Sequence, residues 1–334
     1  LELALRGKGA ILTNPMVGCV IVHQDKIIGE GWHERYGGLH AEPNAVNSVV
    51  DKSLLVESDI YVTLEPCAHF GKTPPCADLI ASLKPRRLFV CNMDPNPLVA
   101  GKGLKKVKAV GTEVYTGILE QKGRWLNRRF FTFHEKKRPY VLLKWAETAD
   151  GFIARENYDS KWISSLESRT LVHQWRSEEG AIMVGTNTAI HDNPQLNVRM
   201  VEGKDPLRIF IDRKLRVPSN YHFFDNSQPT VCYTTEESEN RQEIDYVNLD
   251  FSKPITAQVL DDLYIKNIQS VIIEGGNQLL TEFIDLGFWD EARIFKSPLT
   301  FGTGIKGPSI SGKAMTKEVV DTDELITILN VQSL

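Results

Sequence analysis

The sequence predicts an α/β protein built from two domains. Its length of 334 residues is about twice that of a typical domain. Short apolar runs typical of strands alternate with helical patterns in both halves of the chain, which favours layered α/β folds. A charged segment that ends in proline, Glu135 to Pro139, separates the two series. It predicts a boundary between domains over residues 1–136 and 137–334.

The first half opens with a predicted hairpin. The β-branched run Val17 to His23 predicts the first strand, and Lys26 to Trp32 predicts the second, with Gln24-Asp25 as the turn between them. The elements expected after the hairpin are a helix at Glu42 to Val50, a strand at Asp59 to Glu65, a helix at Ala77 to Leu83, a strand at Leu88 to Asn92, a helix at Leu104 to Ala109, a strand at Glu113 to Ile118 and one long helix at Leu119 to Phe133.

The second half repeats the alternation of strands and helices. The expected strands are Tyr140 to Ala146, Ala181 to Val184, Leu207 to Ile211, Thr230 to Thr234, Ser270 to Glu274 and Ala292 to Lys296. The expected helices are Leu166 to Ser177, Ile255 to Asn267 and Gln278 to Leu286.

The composition excludes several classes of protein. The 39 basic and 43 acidic residues give a net charge of -4, so a surface built to hold a nucleic-acid backbone is not expected. The longest apolar run, Met16 to Val22, is too short to span a bilayer, and we expect no signal peptide. Leu1 stands inside a helical pattern, so the natural start is expected to precede it. We expect a cytoplasmic protein without nucleic-acid or membrane partners.

The five cysteines are an odd number in a long chain without an export signal, which argues against a disulfide framework. Cys19, Cys91 and Cys232 lie inside apolar strand patterns and are expected to be buried small hydrophobic side chains. Cys67 and Cys76 follow a predicted strand and are candidates for metal binding.

One histidine and these two cysteines predict a catalytic zinc site. His40 stands at a strand-to-helix junction, and Cys76 comes nine positions after Cys67. One imidazole and two thiolates supply three zinc ligands and leave the fourth position to water, as in catalytic rather than structural sites. Glu42, two residues after the histidine, is expected to carry protons for that water. The order His-x-Glu, Pro-Cys and Cys is typical of zinc deaminases, which release ammonia from a ring amine.

Two other functions remain open at this point. A structural zinc module that binds nucleic acid would need four protein ligands and would give Glu42 no role. A nucleotide or tRNA zinc deaminase joined to an unrelated oxidoreductase domain predicts only two residues between the cysteines, whereas this chain has residues 68–75 there. It also predicts a basic face, which the net charge does not favour.

Several motifs of the first half resemble one particular family. They are Asn14-Pro15-Met16-Val17-Gly18, Gly29-Glu30-Gly31-Trp32-His33, His40-Ala41-Glu42 and the loop at 68–75. Together they resemble the deaminase domain of the bifunctional riboflavin-biosynthesis deaminase–reductases. The resemblance implies a cytidine-deaminase-like, three-layer α/β/α domain. It also implies that His40, Cys67 and Cys76 hold Zn²⁺ and that Glu42 is catalytic.

The resemblance implies contacts to a phosphorylated sugar as well. His69, Lys72 and Thr73, in the loop between the cysteines, offer hydrogen-bond donors suited to such a substrate. Asn14 is expected to bond the sugar. An ordinary polar surface loop, and an Asx turn before Pro15, are the alternatives.

The second half lacks the glycine fingerprint of the Rossmann fold, because no Gly-x-Gly-x-x-Gly follows a strand. Gly275-Gly276-Asn277 lies instead between the strand at 270–274 and the helix at 278–286. Glycines there let the backbone approach a ligand, and the start of the helix favours a phosphate. A tight turn without a ligand is the alternative.

Further motifs extend the resemblance to the reductase half of the same family. They are Lys144-Trp145-Ala146, Asp150-Gly151, Ser160 to Ser164, Arg176, Val184 to Thr188, Asp192-Asn193-Pro194 and Leu196 to Arg199. The resemblance implies a dihydrofolate-reductase-like α/β domain that binds NADPH. The residues it implies for NADPH are Ala146, Trp162, Thr188, Asp192, Gly276, Asn277, Gln278, Leu279, Leu280, Thr281 and Glu282. Those it implies for the substrate are Ser160, Arg176, Leu196, Arg199 and Glu274.

The implied activity has two steps. The first hydrolytically deaminates 2,5-diamino-6-ribosylamino-4(3H)-pyrimidinone 5′-phosphate, and the second reduces the ribosyl group of 5-amino-6-(5-phosphoribosylamino)uracil to ribityl with NADPH. Two guanidiniums, of Arg176 and Arg199, suit the phosphate of the substrate. Surface arginines without a ligand, and a core position for Trp162, are the alternatives. A homo-oligomer is expected.

Overall fold

The computed structural model describes residues 1–11, 13–71, 73–96, 99–239 and 243–331. The chain folds into two compact units, Leu1–Lys137 and Arg138–Leu334. Helices and strands alternate in each unit, so the expected α/β class is confirmed in both halves. No helix in the described ranges combines the length and the apolar character needed to cross a bilayer.

The first unit is a five-stranded sheet with helices packed on it. Its elements are α1 (Glu2–Leu5), β1 (Gly18–His23), β2 (Lys26–Trp32), α2 (Ala41–Ser48), a 3-10 helix (Lys52–Glu57), β3 (Asp59–Leu64), α3 (Cys76–Leu83), β4 (Arg87–Asn92), α4 (Lys102–Ala109), β5 (Glu113–Thr116), α5 (Glu120–Leu126) and α6 (Arg128–Lys136). The strand order is β2-β1-β3-β4-β5, with β3, β4 and β5 parallel and β1 antiparallel to both of its neighbours.

The hydrophobic core of this unit lies between the sheet and helices α2, α3 and α4. Ile21, Ile60 and Leu88 on neighbouring strands are almost completely buried there. A Cβ at Gly31 on β2 would clash with the backbone of Ala45 on α2. The glycine therefore lets α2 pack directly against the sheet, which sets the position of the residues at the start of that helix.

The expected long helix at 119–133 is wrong, because the chain forms α5 and α6 with a break at Asn127. The side chain of Asn127 accepts a hydrogen bond from the Met16 amide at 2.8 Å and donates to the Met16 carbonyl at 2.9 Å. The backbone of Asn127 leaves the helical conformation, with φ -103° and ψ 28°. A contact 111 residues away in sequence thus interrupts a pattern that is locally helical.

A buried carboxylate links two strands of this sheet and gives the first prediction. Asp59, at the start of β3, accepts two hydrogen bonds from each of Arg86 and Arg87. The Arg87 guanidinium, together with Arg86, lowers the pKa of Asp59 to about 2. This value lies below the unfolded value of about 3.9, so the carboxylate stabilises the fold above about pH 4 and loses that contribution as the pH falls toward 2.

Asp59→Asn should therefore lower the free energy of unfolding of the first unit at pH 7, and the difference from wild type should shrink at pH 3. Chemical denaturation at the two pH values measures it. Asp78→Asn, which breaks a half-exposed pair with Lys106, is the control and should have a small effect. The same difference from wild type at both pH values would contradict the role of Asp59.

The second unit is built on a nine-stranded sheet. Its elements are β6 (Tyr140–Glu147), β7 (Phe152–Ala154), α7 (Leu166–Glu178), β8 (Ala181–Val184), α8 (Thr186–Asp192), β9 (Leu207–Ile211), a 3-10 helix (His222–Phe224), β10 (Thr230–Thr234), β11 (Ile244–Asn248), α9 (Ile255–Ile265), β12 (Ser270–Ile273), α10 (Asn277–Asp285), β13 (Glu291–Lys296), β14 (Ile305–Lys306), β15 (Lys313–Val320) and β16 (Asp323–Leu329). The strand order is β11-β10-β9-β8-β12-β6-β13-β16-β15, and β7 pairs with β14 separately.

The first seven strands of this order run parallel, whereas β16 and β15 are antiparallel additions. Their near-continuous apolar sequences reflect burial on both faces, as in Ile182, Ile272 and Leu142. The carboxyl ends of the parallel strands meet at one edge of the sheet, where ligands bind in open α/β folds.

The sequence patterns miss strands β7, β11, β14, β15 and β16 and helix α8. The clearest case is β15, whose side chains are nearly all exposed and which pairs only with β16 in the described part of the chain. A strand at the edge of a sheet has little apolar periodicity to reveal it. Its partner strand, and not its own composition, decides its conformation.

Candidate active sites

Three side chains that can bind a metal meet at the carboxyl end of β3. His40 caps the N-terminus of α2, Cys67 follows β3 and Cys76 opens α3. A Cβ at Gly103 of α4 would clash with the carbonyl of Pro66, so this glycine lets α4 pack against the loop that carries Cys67. The three predicted zinc ligands thus come together from three separate segments.

The geometry of the three ligand atoms fits zinc. His40 Nδ1 lies 3.5 Å from Cys67 Sγ and 3.3 Å from Cys76 Sγ. Tetrahedral zinc, with Zn–N near 2.0 Å and Zn–S near 2.3 Å, separates such ligands by about 3.5 Å. No fourth histidine, cysteine or carboxylate joins the group in the described ranges. Three protein ligands and one open position are the arrangement of a catalytic zinc site.

Glu42 lies beside this group in the first turn of α2 and is 4% exposed. Burial raises the pKa of its carboxyl, and the negative charge of Cys67 raises it further. A raised pKa makes a carboxyl easier to protonate, which suits a group that accepts and returns a proton. The burial and the raised pKa of Glu42 suit the expected role as a proton carrier, which stays a prediction.

Cys67 is arranged to be a thiolate. Its sulfur accepts a hydrogen bond from the backbone amide of Cys76 at 3.3 Å. Hydrogen bonds from Cys76 and from His40 lower the pKa of the Cys67 thiol. The thiolate is the form of cysteine that binds metals.

Asn14 reaches the group through His33, to which the sequence patterns assign no role. Asn14 Nδ2 donates to His33 Nε2 at 2.9 Å, and His33 Nδ1 donates to the carbonyl of Leu39 at 3.0 Å. Burial lowers the pKa of His33, which favours the neutral ring that this pattern needs. The His33 ring lies edge-on to His40, with centroids 5.3 Å apart. The expected Asn14 position therefore adjoins the metal group.

The other predicted contacts of the first site lie in the loop between the two cysteines. His69 is exposed and Thr73 is half-buried, with its carbonyl accepting a hydrogen bond from the amide of Gly71 at 3.3 Å. Lys72 lies outside the described residues.

In the second unit, a cavity of 730 Å³ opens at the carboxyl ends of β6, β8, β9 and β12. All the NADPH and substrate residues predicted for this half line it, with the exception of Thr281, which lies in an adjoining depression with Gln278 and Asp285. The Gly275-Gly276 turn, with φ +109° at Gly275, opens α10 at the wall of the cavity. The tertiary fold therefore gathers residues that are more than 130 positions apart in sequence, from Ala146 to Glu282.

Arg176 and Glu274 are bonded to each other in this cavity. Arg176 Nε and Nη2 donate to the two oxygens of Glu274, each at 2.8 Å. Burial alone would raise the pKa of Glu274, but the charges of Arg176 and Lys144 lower it to about 2. Arg176 therefore lines the cavity as one half of an ion pair, and the expected contact of Arg176 and Arg199 with a phosphate stays a prediction. Within the described ranges, the Arg199 guanidinium donates to the side-chain oxygen of Asn197 at 2.8 Å, and the Arg199 amide donates to His173 Nδ1 at 3.4 Å.

Several predicted cofactor residues have structural contacts of their own. Leu280 is fully buried and Leu279 nearly so, both in the hydrophobic core. Glu282 Oε1 accepts hydrogen bonds from the amides of Ile255 and Thr256 at the start of α9. These three residues shape the wall of the cavity. Ser160 and Asp192, in contrast, meet across it through a 3.2 Å hydrogen bond.

The core alternative for Trp162 is wrong, because the side chain is 62% exposed at the cavity. The guanidinium carbon of Arg169 lies 4.3 Å from the centre of its ring. Cys19, Cys91 and Cys232 are buried free thiols, as expected.

Lys144 is a site residue that the sequence interpretation did not select. It lies on β6 with a side chain only 15% exposed, 3.9 Å from Glu274. Burial lowers its pKa, while Glu274 opposes that shift. A lysine inside an otherwise apolar strand is the signal that could have pointed to it, because lysine is rarely buried without a reason.

Comparisons with known proteins match both units. The family profile of the cytidine and deoxycytidylate deaminase zinc-binding region matches residues 2–92, and the profile of the RibD C-terminal domain matches residues 139–330. The first match contains His40, Cys67 and Cys76, and the second contains the whole lining of the cavity.

Close relatives match along most of their length. The riboflavin biosynthesis protein RibD of Aquifex aeolicus is 40% identical over 316 residues, covering 91% of this chain and 86% of the relative. RibD of Bacillus amyloliquefaciens is 40% identical over 322 residues, covering 94% and 86%. The crystal structure of a diaminohydroxyphosphoribosylaminopyrimidine deaminase/5-amino-6-(5-phosphoribosylamino)uracil reductase from Thermotoga maritima has a TM-score of 0.89 and 37% identity, covering 98% of this chain and 96% of that chain.

The fold and the two sites define a bifunctional enzyme, in which a zinc-dependent deaminase is joined to an NADPH-dependent reductase. The expected activity class and both expected cofactors are thereby confirmed, and an unrelated oxidoreductase domain is not favoured. The chain belongs to the RibD family of riboflavin biosynthesis proteins.

Proposed function

We propose that residues 1–136 deaminate 2,5-diamino-6-ribosylamino-4(3H)-pyrimidinone 5′-phosphate and that residues 137–334 reduce the ribosyl group of the product to ribityl. The observation that carries the first step is the His40–Cys67–Cys76 group, with its open position and buried Glu42 beside it. The second step is supported by the cavity of the second unit, which contains a lysine, a carboxylate and arginines suited to a phosphorylated sugar.

In the deamination, His40, Cys67 and Cys76 hold zinc. When bound, zinc lowers the pKa of a water molecule toward neutrality, which makes hydroxide available to the ring carbon that bears the 2-amino group. Glu42 accepts the proton released from the water and passes it to the departing amine. Burial of Glu42 excludes bulk water from this proton transfer.

The substrate of this step is held by polar side chains around the metal group. Asn14, oriented by its hydrogen bond with His33, offers its amide to the sugar. His69, Lys72 and Thr73 bind the phosphate as hydrogen-bond donors.

In the reduction, Ala146, Trp162, Thr188, Asp192 and the segment 276–282 hold NADPH, which supplies a hydride when bound. Ser160 and Leu196 contact the sugar, and Arg199 binds its phosphate. Arg176 and Glu274, which bond each other in the cavity, contact the substrate as well.

Lys144 is the proton donor of the reduction. C1′ of the sugar gains a hydride while its bond to the ring oxygen breaks, so that oxygen needs a proton. Lys144 lies in the cavity, and burial lowers its pKa, which makes the ammonium a better acid than in water. Its partner Glu274 keeps the ammonium oriented.

Incubation of the purified protein with the diaminopyrimidinone phosphate tests the proposed function. Without NADPH, we expect release of one ammonia per substrate and no further change. With NADPH, its oxidation should follow ammonia release and should not precede it. Oxidation of NADPH by the diamino substrate before deamination would contradict the proposed order of steps.

Cys67→Ser and Cys76→Ser should each lower the zinc content below one ion per chain and abolish ammonia release, because serine does not supply the thiolate. Metal analysis of the purified variants measures the first effect. Cys91→Ser changes a buried thiol of the same unit outside the metal group and should keep its zinc. Full zinc content in both Cys67→Ser and Cys76→Ser would exclude them as ligands.

We further propose that the enzyme works in the cytoplasm as a homo-oligomer without nucleic-acid partners. Small phosphorylated substrates, NADPH and free thiols at the metal group suit a reducing compartment, and the net charge of -4 does not favour a nucleic acid. Light scattering of the purified chain tests the oligomeric state.

A further inference from the structure

The loop that carries Asn14 is bonded to a side chain from the last part of the first unit. Residues 14–17 belong to no helix or strand. The amide of Met16 donates to Asn127 Oδ1 at 2.8 Å, and the carbonyl of Met16 accepts a hydrogen bond from Asn127 Nδ2 at 2.9 Å. One side chain therefore bonds both backbone polar groups of a residue that lies two positions after the proposed sugar contact.

The backbone of Asn127 is held by the two helices that it separates. Asn127 is 4% exposed and stands between α5 and α6. Its amide donates to the carbonyl of Gly123 at 3.1 Å, and its carbonyl accepts a hydrogen bond from the amide of Phe131 at 3.0 Å. With the backbone fixed in this way, the side chain offers its donor and its acceptor at a constant position.

The two helices are in turn bound to the strands that end at the metal group. Asn92, the last residue of β4, donates its side-chain amide to the first carbonyl of α5 at 3.0 Å. The carbonyl of Asn92 accepts a hydrogen bond from the amide of Glu65, two residues before Cys67, at 2.9 Å. Phe131 of α6 and Leu64, the last residue of β3, belong to one buried apolar cluster. The helix pair is therefore part of the same frame as the segment that leads to Cys67.

The loop is held on its other side by His33. Asn14 Nδ2 donates to His33 Nε2 at 2.9 Å, and the amide of His33 donates to the carbonyl of Val17 at 2.9 Å. Loss of the Asn127 side chain would leave this as the remaining side-chain anchor described for the loop. A displacement of about 1 Å is enough to weaken a substrate contact.

We propose that Asn127 is a positioning residue of the deaminase, which holds the backbone of Met16 and thereby fixes Asn14 against the sugar of the substrate. The inference rests on the proposed deamination and on the proposed sugar contact of Asn14. Asn127 itself contacts neither the substrate nor the metal.

Steady-state ammonia release from the diaminopyrimidinone phosphate by the full chain tests the proposal. Asn127→Ala removes both hydrogen bonds and should raise KM by about 10-fold. The value of kcat should stay nearly unchanged, because a contact with the sugar holds the substrate and the transition state alike. Asn127→Asp keeps the shape and the acceptor but loses the donor to the Met16 carbonyl, so it should raise KM as well. Both variants should keep one zinc per chain.

The double variant Asn14→Ala/Asn127→Ala shows whether Asn127 acts through Asn14. Asn14→Ala should raise KM by itself. Adding Asn127→Ala should raise it little further, because the second change displaces a contact that is already lost. Effects that multiply in the double variant would overturn the proposal, and so would a wild-type KM in Asn127→Ala and Asn127→Asp.

Thr112→Val is the matched control, because it also removes a buried hydrogen bond of the first unit. The hydroxyl of Thr112, just before β5, donates to the carbonyl of Pro85 at 2.8 Å. Since β3, β4 and β5 run parallel, this bond lies at the opposite edge of the sheet from the metal group. Thr112→Val should lower the free energy of unfolding but keep the wild-type KM.

An equal rise of KM in Thr112→Val would overturn the proposal, because general destabilisation would then explain the effect of Asn127→Ala. Loss of zinc or a large fall of kcat in both Asn127 variants would overturn it too, by indicating damage to the metal group. Failure of the wild type to release ammonia from this substrate would instead overturn the proposed function.

Discussion

Glu42→Gln should abolish ammonia release while the protein keeps one zinc per chain. The amide has the shape of the carboxyl, so the neighbouring ligands are not disturbed, but it cannot accept and return a proton. General acid–base groups typically contribute about 100- to 10,000-fold, and Glu42 serves more than one transfer. Ammonia release, measured alongside zinc content, tests both parts of this expectation.

The second activity provides an internal control for this variant. Glu42→Gln should oxidise NADPH at the wild-type rate when it is given the deaminated intermediate, because Glu42 belongs to the first of two compact units. Glu57→Gln, an exposed position of the same unit, should change neither activity. More than a tenth of the wild-type deaminase rate in Glu42→Gln would indicate a structural role. Loss of both activities in a folded variant would contradict two independent sites.

Lys144→Met should reduce NADPH oxidation by about 100-fold or more, with ammonia release unchanged. Methionine fills a similar volume in the apolar strand but carries no proton. Burial lowers the pKa of Lys144, so the wild-type rate should fall as the pH rises through a value below the ordinary 10.5, where the ammonium loses its proton. The variant should lack this alkaline decline.

Lys214→Met, at an exposed position outside the cavity, is the control for Lys144→Met and should have the wild-type rate and pH profile. Steady-state NADPH oxidation with the deaminated intermediate, measured from neutral to alkaline pH, distinguishes the variants. A variant with a reduced rate but the wild-type pH profile would show that Lys144 positions Glu274 and does not donate the proton.

Most strands and helices follow from local patterns, because buried parallel strands are nearly continuous apolar runs and helices have their own period. The residues of the metal group also follow from a local sequence pattern. The short motif around His40 and Glu42, followed by Cys67 and Cys76, specifies residue types that suit one chemistry, and the fold brings the three ligand atoms within 4.8 Å of one another. Motifs of this kind are visible in sequence because the ligand types and their order are constrained by the metal.

The sequence patterns fail to predict local structure where a contact with a distant residue determines the conformation of the backbone. Asn127 interrupts a locally helical segment because its side chain bonds Met16. The edge strand β15 depends on pairing with β16. Neither contact leaves a periodic signal in the segment that it determines, so no pattern within a short window could have revealed it.

The sequence by itself determined the α/β class and the residue types of the metal group. Only the tertiary structure decided the electrostatics of the second cavity. It joined Arg176 to Glu274 and brought Lys144 within 3.9 Å of that carboxylate. The physical reason is that the pKa of an ionisable side chain depends on its burial and on the charged groups beside it, which here lie on other strands. Those neighbours are set by the order β9-β8-β12-β6, which is not the order of the chain.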